Sequence, residues 1–252
     1  MQFSFRTPRE VKVTMTDYIK NMLKKFEEFD PSGKVSATPA AEHLFKIRDD
    51  CKPLADHKSK AFHHFTAQGL YLSKQVRQDT GTTVAFLTTH VKRPDEDDWK
   101  KLVKYMRYLR GSVYLPLILR ADGTGILKWH VDVAYALHWD MKSHTGGNLT
   151  LGKGSVTSSS TKQKLNTRNT TESEVVGGDN MSPQILWTNY FLDAQGYGVK
   201  DTIIYQDNRS AMLLEKHGRA SSSKRTKHTN IRYFFIKDRI DSGEVKAEMV
   251  PH

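Results

Sequence analysis

The 252 residues suffice for one large domain or two small ones, and 37% hydrophobic with 27% charged residues excludes a disordered chain. A net charge of +11 favours a polyanionic partner, nucleic acid first among them, although a basic protein with no anionic partner stays open. A single cysteine, Cys51, excludes an intrachain disulfide and suits a reducing compartment, cytosol or nucleus; with neither a signal-peptide core nor an apolar run long enough to span a bilayer, a soluble, non-secreted protein without membrane contact is expected.

Residues 15–29 place Tyr18, Met22, Leu23 and Phe26 at helical spacing, and Pro31-Ser32-Gly33 ends that helix. Helical patterns return at 58–75 and 95–110, where Trp99, Leu102, Val103, Tyr105 and Met106 form an apolar stripe. The texture changes after Gly123-Thr124-Gly125. Residues 126–136 read as a strand with Leu127, Trp129, Val131 and Val133 on one face. Gly146-Gly147 reads as a break before strands at 149–151 and 155–159. A helix over 172–194, a β-branched buried strand over 202–206, helices over 210–216 and 230–240, and a strand over 244–250 complete the chain. Strands followed by alternating helix and strand predict an α/β layer fold over 123–252, after a smaller, mainly helical region over 1–122. Trp129, Trp187 and Tyr233 are expected in the core, and Cys51 as a buried free thiol.

Three acids sit where a carboxylate is costly without a partner. Asp132 lies within the apolar strand Trp129-His130-Val131-Asp132-Val133-Ala134, Asp207 ends Ile203-Ile204-Tyr205-Gln206-Asp207, and Glu174 falls in the first turn of the long helix. Converging carboxylates repel, and a hard divalent cation such as Mg²⁺ relieves them. The alternative is local: Glu172 and Glu174 complement a helix dipole, and Asp207-Asn208 caps the next helix.

The flanking residues carry a resemblance. Val131-Asp132-Val133-Ala134-Tyr135-Ala136 resembles the S-D-A-D-W-A of ribonuclease H domains in copia-type retrotransposon polyproteins, with Ala134 replacing the second Asp. Ser158-Ser159-Ser160-Thr161-Lys162-Gln163 is similar to their S-S-K-K-Q, and Thr171-Glu172-Ser173-Glu174-Val175 to T-E-A-E-Y. Tyr205-Gln206-Asp207-Asn208-Arg209-Ser210-Ala211 is similar to Y-C-D-N-Q-S-A. The stretch from Arg225-Thr226-Lys227-His228 to Arg232-Tyr233-Phe234-Phe235-Ile236 resembles R-T-K-H-I-D-I-R-Y-H-F-I. Upstream, Thr38-Pro39, Arg77-Gln78-Asp79 and Arg107-Tyr108-Leu109-Arg110-Gly111-Ser112 look, more loosely, like the end of the reverse transcriptase, its thumb or connection region. Tyr205-Gln206-Asp207-Asn208 lacks the adjacent Asp pair of a polymerase palm, and no other Y-x-D-D exists, so no polymerase activity is expected of this chain.

The resemblance implies a ribonuclease H-like mixed sheet flanked by helices, with four acids holding two Mg²⁺ ions (Mn²⁺ being the alternative) that cleave the RNA of an RNA–DNA hybrid. Asp132, Glu174 and Asp207 match three of the four, Asp132 bridging the ions and the other two holding the one nearer the leaving group. The fourth normally follows the last strand; here Val250-Pro251-His252 ends the sequence, and Asp238, Asp241, Glu244 and Glu248 do not resemble it. Impaired cleavage is therefore expected. The alternatives are a catalytically inactive nucleic-acid-binding fragment, or a fragment stable only with the remainder of a retrotransposon polyprotein. Lys224, Arg225, Lys227, His228 and Arg232 are the candidate nucleic-acid contacts, against a solvated helix face or, for His228, a structural loop role.

Overall fold

The structure, a computed structural model, describes residues 1–48, 50–217 and 230–250, and for 217 and 230–234 the backbone alone. The chain divides into two compact units, Met1–Leu119 and Arg120–His252; the junction expected from the sequence was 122/123.

The first unit opens with β1 (Gln2–Ser4) and β2 (Val11–Thr14), an antiparallel pair that the sequence did not announce. Helices α1 (Thr16–Phe26), α2 (Asp56–Gln75), α3 (Gly81–His90) and α4 (Glu96–Gly111) follow. α4 starts with a capping box: Asp95 Oδ1 accepts from Asp97 N and Asp98 N at 2.8 and 2.9 Å, while Asp98 Oδ2 accepts from Asp95 N at 3.2 Å. α3 went unpredicted because Thr82-Thr83-Val84 and Thr88-Thr89 argue for extended chain. Burial of Val84, Phe86 and Leu87 overrides that preference. The core gathers Phe26, Phe65, Trp99, Leu102, Tyr105 and Met106, with Phe26 and Phe65 edge-on at 4.9 Å. Cys51 is half-buried rather than buried, because it sits in the loop between α1 and α2, outside that core.

Two motif fragments meet here. The buried Arg77 guanidinium donates to both Asp79 oxygens at 2.9 and 2.8 Å, and to Ser112 O and Oγ at 3.0 and 2.8 Å; Tyr108 Oη donates to Asp79 at 2.6 Å. Arg-x-Asp and Arg-Tyr-Leu-Arg-Gly-Ser thus form one satisfied polar network, and their role in this unit is structural.

β3 (Leu117–Ala121) pairs through residues 117–119 with β2. The second unit then builds β4 (Ile126–Ala134), β5 (His144–Thr150), β6 (Gly152–Lys153), β7 (Ser155–Lys162), α5 (Thr170–Ala194), β8 (Asp201–Gln206), α6 (Arg209–His217), α7 (Asn230–Asp241) and β9 (Lys246–Met249). Five strands form a mixed sheet in the order β7-β5-β4-β8-β9, antiparallel from β7 to β4 and parallel from β4 to β9. Helices α5, α6 and α7 flank it. An α/β fold with a mixed sheet flanked by helices, preceded by a smaller mainly helical region, is what the sequence led one to expect.

Alternation along β4 buries Leu127, Trp129, Val131 and Val133 against α5, whose Met181 and Ile185 complete the core with Leu149 and Ile204. Gly146-Gly147 does not break the chain: both lie inside β5, paired with Asp132 and Val131. A Cβ on Gly147 would collide with Met181, so glycine here admits the helix rather than ending the strand. Trp187 is not core either. It is 62% exposed, one residue off the buried stripe of α5, and stacks on Phe191 at 5.1 Å. The Tyr233 side chain lies outside the described residues.

Candidate metal centre

The site forms where β4, β8 and the start of α5 meet. Asn169 caps α5 by accepting from Glu172 N at 2.8 Å, and Glu172 Oε2 accepts from Arg168 N at 2.7 Å. Glu172 is thus occupied at the helix start by a backbone hydrogen bond, where the alternative reading had it complement the helix dipole. One turn on, Gly177 and Gly178 let the helix lie against the sheet. A Cβ on Gly177 would collide with Val133, and one on Gly178 would stand 2.9 Å from Glu215 Oε1. This close approach carries Glu174 to the end of β4.

Asp132, Glu174 and Asp207 each offer an oxygen within 4.8 Å of the others, Glu174 buried and the two aspartates exposed. Asp207 follows the end of β8, and the next residue, Asn208, does the capping: its Oδ1 accepts from Ala211 N at 3.0 Å. Asp207 is thereby left to the cluster. Among the described residues no lysine or arginine pairs with any of the three.

The electrostatics follow from that isolation. Burial, then the charges of Asp207 and Asp132, push the Glu174 carboxyl up to about 8, against a hydrogen bond from the Val133 backbone. Glu174 Oε2 is buried with no hydrogen-bond partner. A buried unpartnered oxygen beside two exposed carboxylates is a donor set for a hard divalent cation, and the residues fit that group. Lys224, Arg225, Lys227 and His228 lie outside the described residues, as does the Arg232 side chain.

Sequence reasoning missed what lies behind the cluster. Glu215, 1% exposed, accepts from Gln206 Nε2 at 3.1 Å, and burial pushes its carboxyl up to about 7. Leu213-Leu214-Glu215 read as an ordinary helix segment; only the helix's packing shows Glu215 pointing inward. His138 and His144, both buried, were also missed: His138 Nε2 lies 3.1 Å from His144 Nδ1, and His144 Nε2 lies 2.8 Å from Ser160 Oγ.

No family model matches the chain. It is 28% identical, over 247 residues and 96% of its length, to the retrovirus-related Pol polyprotein from transposon TNT 1-94 of Nicotiana tabacum. It is 30% identical over 68% of its length to the corresponding polyproteins from transposons RE2 and RE1 of Arabidopsis thaliana. Its homologues are retrovirus-related Pol polyproteins of copia-type transposons. The chain spans 18% of the tobacco Pol polyprotein and 12% of each Arabidopsis one. Among solved structures, RNase H1 from Halobacterium salinarum aligns with 50% of this chain and 86% of its own, at 12% identity and a TM-score of 0.32. Among the described residues no helix is long and apolar enough to cross a membrane.

Proposed function

We propose that residues 120–252 form a ribonuclease H-like domain acting on the RNA strand of RNA–DNA hybrids, with Asp132, Glu174 and Asp207 holding Mg²⁺ or Mn²⁺. One observation carries this: three carboxylates converge within 4.8 Å, and the buried one has an oxygen without a partner. Homology to Pol polyproteins supports the nucleic-acid substrate, and the net charge of +11 suits it. Bound there, a divalent cation would activate water and offset charge on the leaving oxygen. The chain's own residues prepare for it: Glu174 keeps its proton until a cation takes its place, and the two exposed aspartates face solvent, where a phosphate can arrive. Lys224, Arg225, Lys227, His228 and Arg232 would contact phosphates and give affinity without reading sequence. Cytosol or nucleus is the compartment proposed, and the remainder of a Pol-type polyprotein a proposed partner.

A second reading, nucleic-acid binding with little or no cleavage, is favoured by one fact. Among the described residues the cluster holds three carboxylates, not four, and a loosely held second ion would slow hydrolysis. A labelled RNA in an RNA–DNA hybrid, incubated with the chain in Mg²⁺, Mn²⁺ or EDTA, decides between them. Metal-dependent cleavage lost in Asp132→Asn supports the nuclease; hybrid binding without cleavage supports the second reading; neither binding nor cleavage contradicts both.

A further inference from the structure

The loop joining β4 to β5 begins three residues beyond Asp132 and carries exposed apolar side chains: Trp139 at 71%, Met141 at 62% and Tyr135 at 39%. Large apolar side chains grouped at the surface of one loop mark an interaction site. The loop is held rather than loose. Its tip closes through Met141 N to His138 O at 2.8 Å and His138 N to Lys142 O at 3.1 Å. Beneath it the buried chain His138–His144–Ser160 ties the loop to β5 and β7. Burial and the neighbouring His138 lower the His144 imidazole to about 4, so it stays neutral at physiological pH and the contact is not weakened by like charge.

A second segment, residues 163–169 ahead of α5, is fastened to this loop. Asn166 Nδ2 donates to Asp140 O at 3.1 Å, and Ser143 Oγ lies 3.4 Å from Thr167 Oγ1. With Lys162 at the end of β7, the two carry Lys142, Lys164 and Arg168 against the single acid Asp140. Lys162 Nζ pairs with Asp140 at 2.9 Å and lies over the Trp139 ring at 5.7 Å. Both segments lead into the cluster, one from the end of β4 and the other into the helix that bears Glu174.

We propose that this surface binds unpaired nucleotides of a strand running past the carboxylate cluster, a base stacking on Trp139 while Lys142, Lys162, Lys164 and Arg168 meet phosphates. The inference rests on the nucleic-acid reading above and extends it to a place. Bases inside a duplex are already stacked, so an exposed indole on a fixed loop selects single-stranded bases; aromatic platforms flanked by cations bind such strands without sequence preference. Pre-fixing the loop lowers the ordering cost of binding.

The test uses the whole chain in EDTA, so that binding is read apart from metal chemistry. Two fluorescent hybrids are compared by anisotropy, one blunt and one with a six-nucleotide RNA extension. Trp139→Ala is expected to weaken binding of the extended hybrid roughly tenfold, with a smaller effect on the blunt one, and Trp139→Phe to restore most of the affinity. Trp187→Ala, which removes another exposed indole, is expected to leave both unchanged. Equal affinity of Trp139→Ala and the parent for the extended hybrid would overturn the proposal, as would a parent that binds neither hybrid. A parallel cleavage assay in Mg²⁺ with Asp132→Asn reports on the nuclease reading alone, so the two ideas fail separately.

Discussion

Asp30 in the first unit and Glu174 in the second are both about 5% exposed, yet they meet opposite environments. Asp30 is gripped by Arg107 Nε and Nη2, both at 3.0 Å, and by Arg110 Nη1 at 3.2 Å, and these hydrogen bonds hold its carboxyl well below the usual range. Glu174 faces two more carboxylates, and its pKa rises to about 8. The first acid has its cations supplied by the chain, and its work is to fix α4 to the turn after α1. The second has none among the described residues, and an acid kept at that cost points to a cation from outside.

Removing Asp30 should have the largest effect. Asp30→Ala leaves Arg107 and Arg110 facing a gap, and about 3 kcal/mol of stability should go, read from urea unfolding. The sign should invert at the other acid: Glu174→Gln is expected to raise the metal-free melting temperature at pH 7, because folding then no longer has to put a proton on a carboxyl that the unfolded chain leaves ionised. If both substitutions destabilise alike, the contrast is wrong.

Gly177→Ala comes next. Its methyl would meet Val133, and overpacking of this kind costs about 2 kcal/mol. Divalent-cation affinity should fall along with stability, since the same contact sets Glu174 beside Asp132. Gly196→Ala, where a Cβ would meet nothing within 4 Å but φ is +78°, should cost only its backbone strain and leave the metal site alone.

The last expected effect is a pH dependence and concerns Glu215. Its folded pKa, about 7, lies above the ordinary 4.5. Between those values the unfolded chain has released the proton while the folded one keeps it, so stability falls as pH rises from 4.5 to 7 and then levels. Glu215→Gln should flatten that slope, as melting temperatures across pH 5–8 would show. An unchanged slope would remove Glu215 from the account.

How much of this was legible depended on periodicity. β4 declared itself because Leu127, Trp129, Val131 and Val133 alternate, and Asp132 stood out against them. Helices α1, α2 and α4 showed their apolar faces for the same reason. β5 did not, since Gly146-Gly147 mimics a turn when the Met181 side chain that Gly147 accommodates is 34 residues away in sequence. α3 hid behind β-branched residues, and Trp187 looked like core because its helix carries apolar residues on both sides. The three carboxylates could be named from sequence, but two facts could not. Glu172 and Asn208 cap helices while their neighbours Glu174 and Asp207 turn to the cluster, and only the fold separates those roles.

The central claim is that Asp132, Glu174 and Asp207 await a divalent cation, and thermal unfolding of the whole chain in EDTA and in rising Mg²⁺ or Mn²⁺ tests it most directly. Binding to the folded state alone should stabilise the parent by about 2.7 kcal/mol at a hundred times Kd, with little gain in Asp132→Asn. An unchanged melting temperature in the parent, or an equal rise in parent and Asp132→Asn, would contradict it.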